Sequence, residues 1–203
     1  MNNIDSAHER NRAFATEGGH EGAVVFPKLR LFVITCLDPR VDPAHFLGLG
    51  LSDAMVVRNV GGRVTPEVIN DVAFIGQLAE NVLPDGPLFE VAVIHHTQCG
   101  AGAFADDTFR HSYAERIGID EATLHEHAIL DPVATVTRDL EALRSAAAIS
   151  PRVTVSAHVY DVVTGLVKTV IPARSSADRT FEQPQTPQER VASGDRVRPS
   201  VPA

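Results

Sequence analysis

Three short, almost uninterrupted apolar runs constrain this chain more than any other feature. They cover residues 29–35 (LRLFVIT), 54–57 (AMVV) and 88–95 (LFEVAVIH). None alternates polar with apolar residues, as a strand with one wet face would, so each reads as a strand buried on both faces of a parallel sheet. Between the second and third lies a helix signature. Thr65 offers a capping hydroxyl, Pro66 the first helical position and Glu67 an early acid. Val68, Val72, Ile75, Leu78, Ala79 and Val82 then follow at helical spacing, and Pro84-Asp85-Gly86-Pro87 ends the pattern. A second start, Asp131-Pro132, precedes Val133, Val136, Leu140 and Leu143. Residues 153–163 and 166–171 read as two further strands, joined by a tight hairpin at Thr164-Gly165. The alternation predicts an α/β fold: a single domain with a mostly parallel central sheet flanked by helices, and an antiparallel edge hairpin.

The ends differ in character. Residues 1–22 read as an N-terminal helical arm, with Ile4, Ala7, Asn11 and Phe14 on a weakly apolar face and Gly18-Gly19 as its stop. Residues 23–171 form the expected α/β domain. Residues 172–203 hold five of the thirteen prolines and few large apolar side chains, the composition of a disordered tail. No apolar run approaches the roughly 18 residues of a membrane span, and the polar start lacks the apolar segment of a signal peptide. The expectation is a cytoplasmic protein with no membrane partner. A net charge of −8 argues against a nucleic-acid partner, which needs a basic surface.

Only two cysteines occur, Cys36 and Cys99. In a reducing cytoplasm a stable disulfide is not expected, and two buried thiols are the plain reading of an arbitrary pair. Their neighbours change it. Cys36-Leu37-Asp38-Pro39-Arg40 follows the first strand, and His96-Thr97-Gln98-Cys99-Gly100 follows the third. Sites in open α/β sheets form beyond the carboxyl ends of strands. Two thiolates and one imidazole suit zinc, and three protein ligands leave one position for water, as in catalytic rather than structural sites. Asp38 and Arg40 are two apart, so in an extended segment both point to the side of Cys36. An aspartate there can accept a hydrogen from a metal-bound hydroxide, and an arginine can hold that carboxylate ionised. The pair also reads as a surface ion pair worth little, and alone it does not outweigh that. Gly61 and Gly62 either bring backbone close to a cleft or simply make a turn. His95 is expected to face away from His96 as a packed histidine. His45 reads as a helix-surface residue, and His125 and His127 as a solvated helix face.

Cys-x-Asp-x-Arg at 36–40, Arg58-Asn59-Val60-Gly61-Gly62 and His-x-x-Cys-Gly at 96–100, in that order and spacing, resemble the beta-class carbonic anhydrases. The resemblance implies one zinc per chain on Cys36, His96 and Cys99, with Asp38 and Arg40 as a catalytic dyad. It implies reversible hydration of carbon dioxide to bicarbonate and a proton, by attack of zinc-bound hydroxide. It also implies a homodimer or higher homo-oligomer, with the N-terminal arm on the partner. Two features depart from the family pattern. Pro39 stands where a small residue is common, and with no tryptophan the side pocket that some members build from Trp, Arg and Tyr is not carried over. The pattern is also similar to relatives that hydrolyse carbonyl sulfide or carbon disulfide, linear molecules open to the same attack. A zinc-binding or thiol-sensing module without catalysis is the reading from outside enzymology. It leaves the Asp38-Arg40 pair and the open fourth position without a purpose.

Overall fold

A computed structural model of the chain describes residues 2–176 and 178. Five strands form one sheet: β1 (Leu31–Cys36), β2 (Ala54–Asn59), β3 (Glu90–His96), β4 (Thr154–Tyr160) and β5 (Val167–Ser175), in the order β2-β1-β3-β4-β5. β1 runs parallel to β2 and β3, and β4 parallel to β3, while β5 pairs antiparallel with β4. The helices are α1 (Asp5–Thr16), α2 (Pro43–Phe46), α3 (Pro66–Val82), α4 (Asp107–Ile117), α5 (Glu121–Glu126) and α6 (Pro132–Ser145).

The continuous apolar runs are explained by cover on both sides. Phe32, Ile34, Val91, Val93, Val155 and Ala157 pack under Val68, Val72 and Ala79 of α3 and Val136, Leu140 and Leu143 of α6. Val33, Ala92 and Ile94 on the other face meet Phe46, Leu47, Leu49 and Tyr160. Fully burying one such aliphatic side chain contributes roughly 1.5–3 kcal/mol, so these two layers hold the sheet. Both main helices start as their sequences require. Thr65 Oγ1 accepts from Val68 N, and Asp131 Oδ1 accepts from the Val133 and Ala134 N–H groups at 2.9 and 3.1 Å.

The connections locate a site before any side chain is considered. The chain leaves β1 for β2 on one side and leaves β3 for β4 on the other. The crevice between the carboxyl ends of β1 and β3 is therefore the topological switch point, where open α/β sheets bind ligands.

Several boundaries differ from expectation. β4 stops at Tyr160, and residues 161–166 form a longer turn than a two-residue hairpin. Asp161 builds it, its Oδ1 accepting from Val163 N at 2.8 Å and its carbonyl from Gly165 N at 2.8 Å. β5 continues through Ser175, past Ile171, so the first residues of the expected tail belong to the sheet. The rest of that tail, 177 and 179–203, lies outside the described residues. The arm does form a helix, but α1 has no buried residue. α4 was not anticipated, and α5 only as the solvated helix face on which His125 falls. Asp106 and Asp120 cap them, and Ala114 and Leu124 join Ala101, Phe104 and Ile129 in a small core of their own. Among the described residues no helix is long and apolar enough to cross a membrane.

Candidate metal centre

Cys36 closes β1 and His96 closes β3. Cys36 lies on the sheet face of Phe32 and Ile34, whereas His96 lies on that of Ala92 and Ile94. They meet because both sit beyond Thr35↔Ile94, the last rung between the two strands. After His96 the chain turns through Gln98, held in the left-handed region at φ 56, and this brings Cys99 back over the crevice. The ligand atoms of Cys36, His96 and Cys99 lie within 4.8 Å of one another, and among the described residues they are the one such group able to hold a metal.

The donors fit zinc. The two sulfurs are 3.9 Å apart. Two sulfurs each about 2.3 Å from one tetrahedral ion would stand about 3.8 Å apart. His96 Nδ1 lies 2.9 Å from the Thr97 carbonyl, which can only accept, so Nδ1 carries the proton and Nε2 the lone pair. That Nε2 is buried with no protein partner, a costly state for a nitrogen unless a ligand takes the lone pair. Soft sulfur with imidazole is the chemistry of a zinc site, and three donors leave a fourth position open.

The sulfurs are electrostatically prepared. The Cys99 sulfur beside it draws the Cys36 pKa down against the opposing effect of burial, and the Asp38 N–H, donating to the Cys36 sulfur at 3.5 Å, adds to the lowering. The same contact, with burial, pushes Cys99 up. One proton shared between two touching sulfurs accounts for both directions, and a cation that displaces that proton meets a thiolate pair.

Asp38 and Arg40 do form a pair, but not by strand alternation. Asp38 caps a short 3-10 turn over Pro39–Val41. Its Oδ1 accepts from Arg40 N at 2.9 Å and Nε at 3.0 Å, and its Oδ2 from Nη2 at 2.7 Å. The Arg40 guanidinium holds the Asp38 carboxyl at about 2, well below the usual range. Arg40 Nη2 also donates to the Gln98 carbonyl at 3.0 Å, linking the loop after β1 to the loop after β3. The pair is exposed on its arginine side and covered on its aspartate side, with side-chain exposures of 49% and 14%.

The remaining histidines fall as follows. His95 is fully buried on the face opposite His96 and bonds to Asp139 and Gly62. His45 and His125 are exposed on α2 and α5, and His127 is half-buried at the end of α5. Gly62 resolves one open reading: a Cβ there would stand 2.7 Å from Cys36 N and from Thr35 C, so the turn lies flush on the backbone that carries the first ligand.

Sequence reasoning quoted Arg58 without giving it a role. Its Nε donates to the Cys36 carbonyl at 3.0 Å, Nη2 to the Asp38 carbonyl at 2.8 Å and Nη1 to Asp42 at 3.2 Å, so it buttresses the whole segment from behind. Arg63 and Asp139 were missed altogether. They form a bidentate pair at 2.8 and 2.9 Å across 76 positions.

The model of the carbonic anhydrase family matches residues 31–179. Beta-carbonic anhydrase 1 of Mycobacterium tuberculosis is 28% identical over 172 residues, covering 84% of this chain and 94% of that protein. The crystal structure of carbonic anhydrase from Streptococcus mutans superposes with a TM-score of 0.68 at 32% identity, covering 84% of this chain and 98% of that one. A carbon disulfide hydrolase of Saccharolobus solfataricus is 28% identical over 159 residues, covering 66% of this chain and 74% of that protein.

Proposed function

This chain belongs to the beta-class carbonic anhydrases, and from that membership we propose how its own residues carry the reaction. It is a zinc enzyme that reversibly hydrates carbon dioxide to bicarbonate and a proton, which leaves the non-catalytic module without support. Cys36, His96 and Cys99 hold the metal in this reading. The observation that carries it is the unpartnered, buried Nε2 of His96 aimed into a group of ligand atoms within 4.8 Å of one another. Bound there, zinc supplies Lewis acidity, which brings a coordinated water's pKa down toward neutrality.

Asp38 and Arg40 act as the dyad. Arg40 keeps Asp38 ionised and fixes both its oxygens; Oδ1 accepts twice, from Arg40 N and Nε, whereas Oδ2 accepts only from Nη2 and retains a lone pair. Asp38 uses that Oδ2 lone pair to accept a hydrogen from the attacking water, setting the direction of the oxygen that reaches carbon. Cys99 adjoins the apolar cluster of Ala101, Phe104 and Ile129, a wall suited to a small, linear substrate without net charge. The arm (1–22) and the domain (23–171, extended by the rest of β5) then divide the work. The exposed α1, with Ile4 and Phe14 open to solvent, and the open edge strand β2, where Val56 is exposed, support a homodimer or larger homo-oligomer. The cytoplasm is the compartment proposed, since its reducing medium keeps Cys36 and Cys99 as thiols.

Stopped-flow hydration of carbon dioxide by metal-analysed protein tests this reading. Zinc-loaded protein with no hydration above background at several pH values would remove it. The likeness to a carbon disulfide hydrolase supports a second substrate for the same ligands, and sulfide release measured beside carbon dioxide hydration decides between the two.

A further inference from the structure

Behind the metal ligands lies a buried ionic cluster that the reaction does not touch. Asp139 of α6 is nearly enclosed, with only 3% of its surface exposed. Its Oδ2 accepts from Arg63 Nε at 2.8 Å, from Val64 N at 3.2 Å and from His95 Nε2 at 3.1 Å, and its Oδ1 from Arg63 Nη2 at 2.9 Å. His95 Nε2 also stands 3.2 Å from the Gly62 carbonyl, and Arg63 Nη1 donates to the Glu126 carbonyl at 2.7 Å. One carboxylate thus gathers α6, β3, the end of α5 and the turn after β2. A helix needs none of this to fold, and burying a charge is costly unless every donor is in place.

What the cluster holds is the turn at Val60–Gly62. Asn59 clasps that turn from its other end, its Oδ1 accepting from Arg63 N at 2.7 Å and its Nδ2 donating to the Arg63 carbonyl at 2.8 Å. Asn59 O accepts from Leu37 N, just past the first ligand, at 2.9 Å. Gly62 rests directly on the Thr35–Cys36 backbone, where a Cβ would stand 2.7 Å from Cys36 N. Resting on the metal centre read above, we propose that Asp139 is a positioning residue for that centre: through Arg63 and His95 it locks the Gly61–Gly62 turn against the backbone of Cys36 and so sets the orientation of the first thiolate. The carboxylate never reaches the ligands. It acts on them through one turn of backbone, as the groups that orient metal ligands elsewhere do.

The test uses full-length protein with cobalt(II) in place of zinc, where the thiolate-to-metal absorption band reports the sulfur's surroundings. It is paired with the rate at which the zinc form yields its metal to a chelator. Asp139→Asn keeps one acceptor oxygen and removes the charge. It is expected to shift the cobalt band and to speed zinc release by about tenfold or more. Arg63→Lys keeps a positive charge but breaks the fork, and should move both readouts in the same direction by less, which keeps the test decisive should Asp139→Asn fail to fold. Leu143→Ala weakens the same helix at a side chain that makes none of the cluster's hydrogen bonds, and should leave both readouts as in the unaltered protein. An unchanged band and release rate in folded Asp139→Asn or Arg63→Lys, or equal changes in Leu143→Ala, would overturn the proposal while leaving the metal ligands standing. Absence of any thiolate band in the unaltered protein would overturn the metal-centre reading, and this one with it.

Discussion

Asp38 has both oxygens engaged by Arg40, so substitution there separates metal binding from chemistry. Asp38→Asn should keep the zinc, because two sulfurs and an imidazole suffice to hold it. It should lose about a hundredfold in carbon dioxide hydration, the usual cost of one preorganised contact at a reacting centre. Arg40→Lys should also lower the rate, since an ammonium cannot hold a carboxylate in a planar fork. The double variant should be little worse than Asp38→Asn alone, because both changes disable one unit. Stopped-flow rates on samples of confirmed zinc content check all three; full activity in zinc-loaded Asp38→Asn would take the dyad out of the mechanism. Cys99→Ser should purify without zinc, as elemental analysis would show, because a hydroxyl is a far poorer ligand than a thiolate. Cys36, Asp38, Arg40, His96 and Cys99 were legible as candidates because each sits in a short segment whose chemistry is local. Arg63 and Asp139 were not, because neither means anything until folding brings positions 76 apart to 2.8 Å.

At the scale of elements, α6 depends on its start. Asp131 Oδ1 accepts from two otherwise unpaired N–H groups, and Asp131→Ala should cost about 1 kcal/mol in denaturant unfolding, whereas Asp131→Ser should recover most of it. The α4–α5 pair should respond to pH. His111 Nδ1 lies 2.7 Å from Glu121 Oε1, and Glu121 and Glu115 together raise the His111 pKa above its ordinary 6.5. A raised histidine stabilises the fold fully below the unfolded value near 6.5 and loses that contribution as pH climbs through the higher folded value. Amide exchange in α5, corrected for intrinsic rates, should therefore quicken on passing to alkaline pH, and Glu121→Gln should remove most of the change, Glu115 keeping the rest. Strands β1 to β3 could be read because burial on both faces demands unbroken apolar sequence. α4 could not, and α5 showed only as the helix face of His125, since both carry few core residues and are mostly polar. The turn after β4 escaped because Val162 and Val163 look like strand, while Asp161 binds the backbone of Val163 and folds it away from the sheet.

For the whole molecule, the exposed arm and the open β2 edge are the parts a single copy leaves unused. Removing residues 2–22 should weaken self-association and lower activity together. Sedimentation velocity run beside the hydration assay checks this, and a fully active monomer lacking the arm would refute the assembly proposed here. The α/β class followed from the order of runs and caps. The strand order did not, because a sequence states which strands exist but not that β3 passes over β1 to its far side. That crossing decides where the site lies.

The same crossing has a consequence for biosynthesis. Cys36 is separated from Cys99 by 63 positions, and the strand carrying His96 is laid against β1 only after β2 and α3 have been made. A nascent chain therefore emerges from the ribosome with a lone thiol for most of the domain's early synthesis, and then acquires the second and third donors within four residues of each other. In the proposed reading the metal site is complete only once Cys99 has been made, and a chain ending before residue 99 lacks one of its two sulfurs.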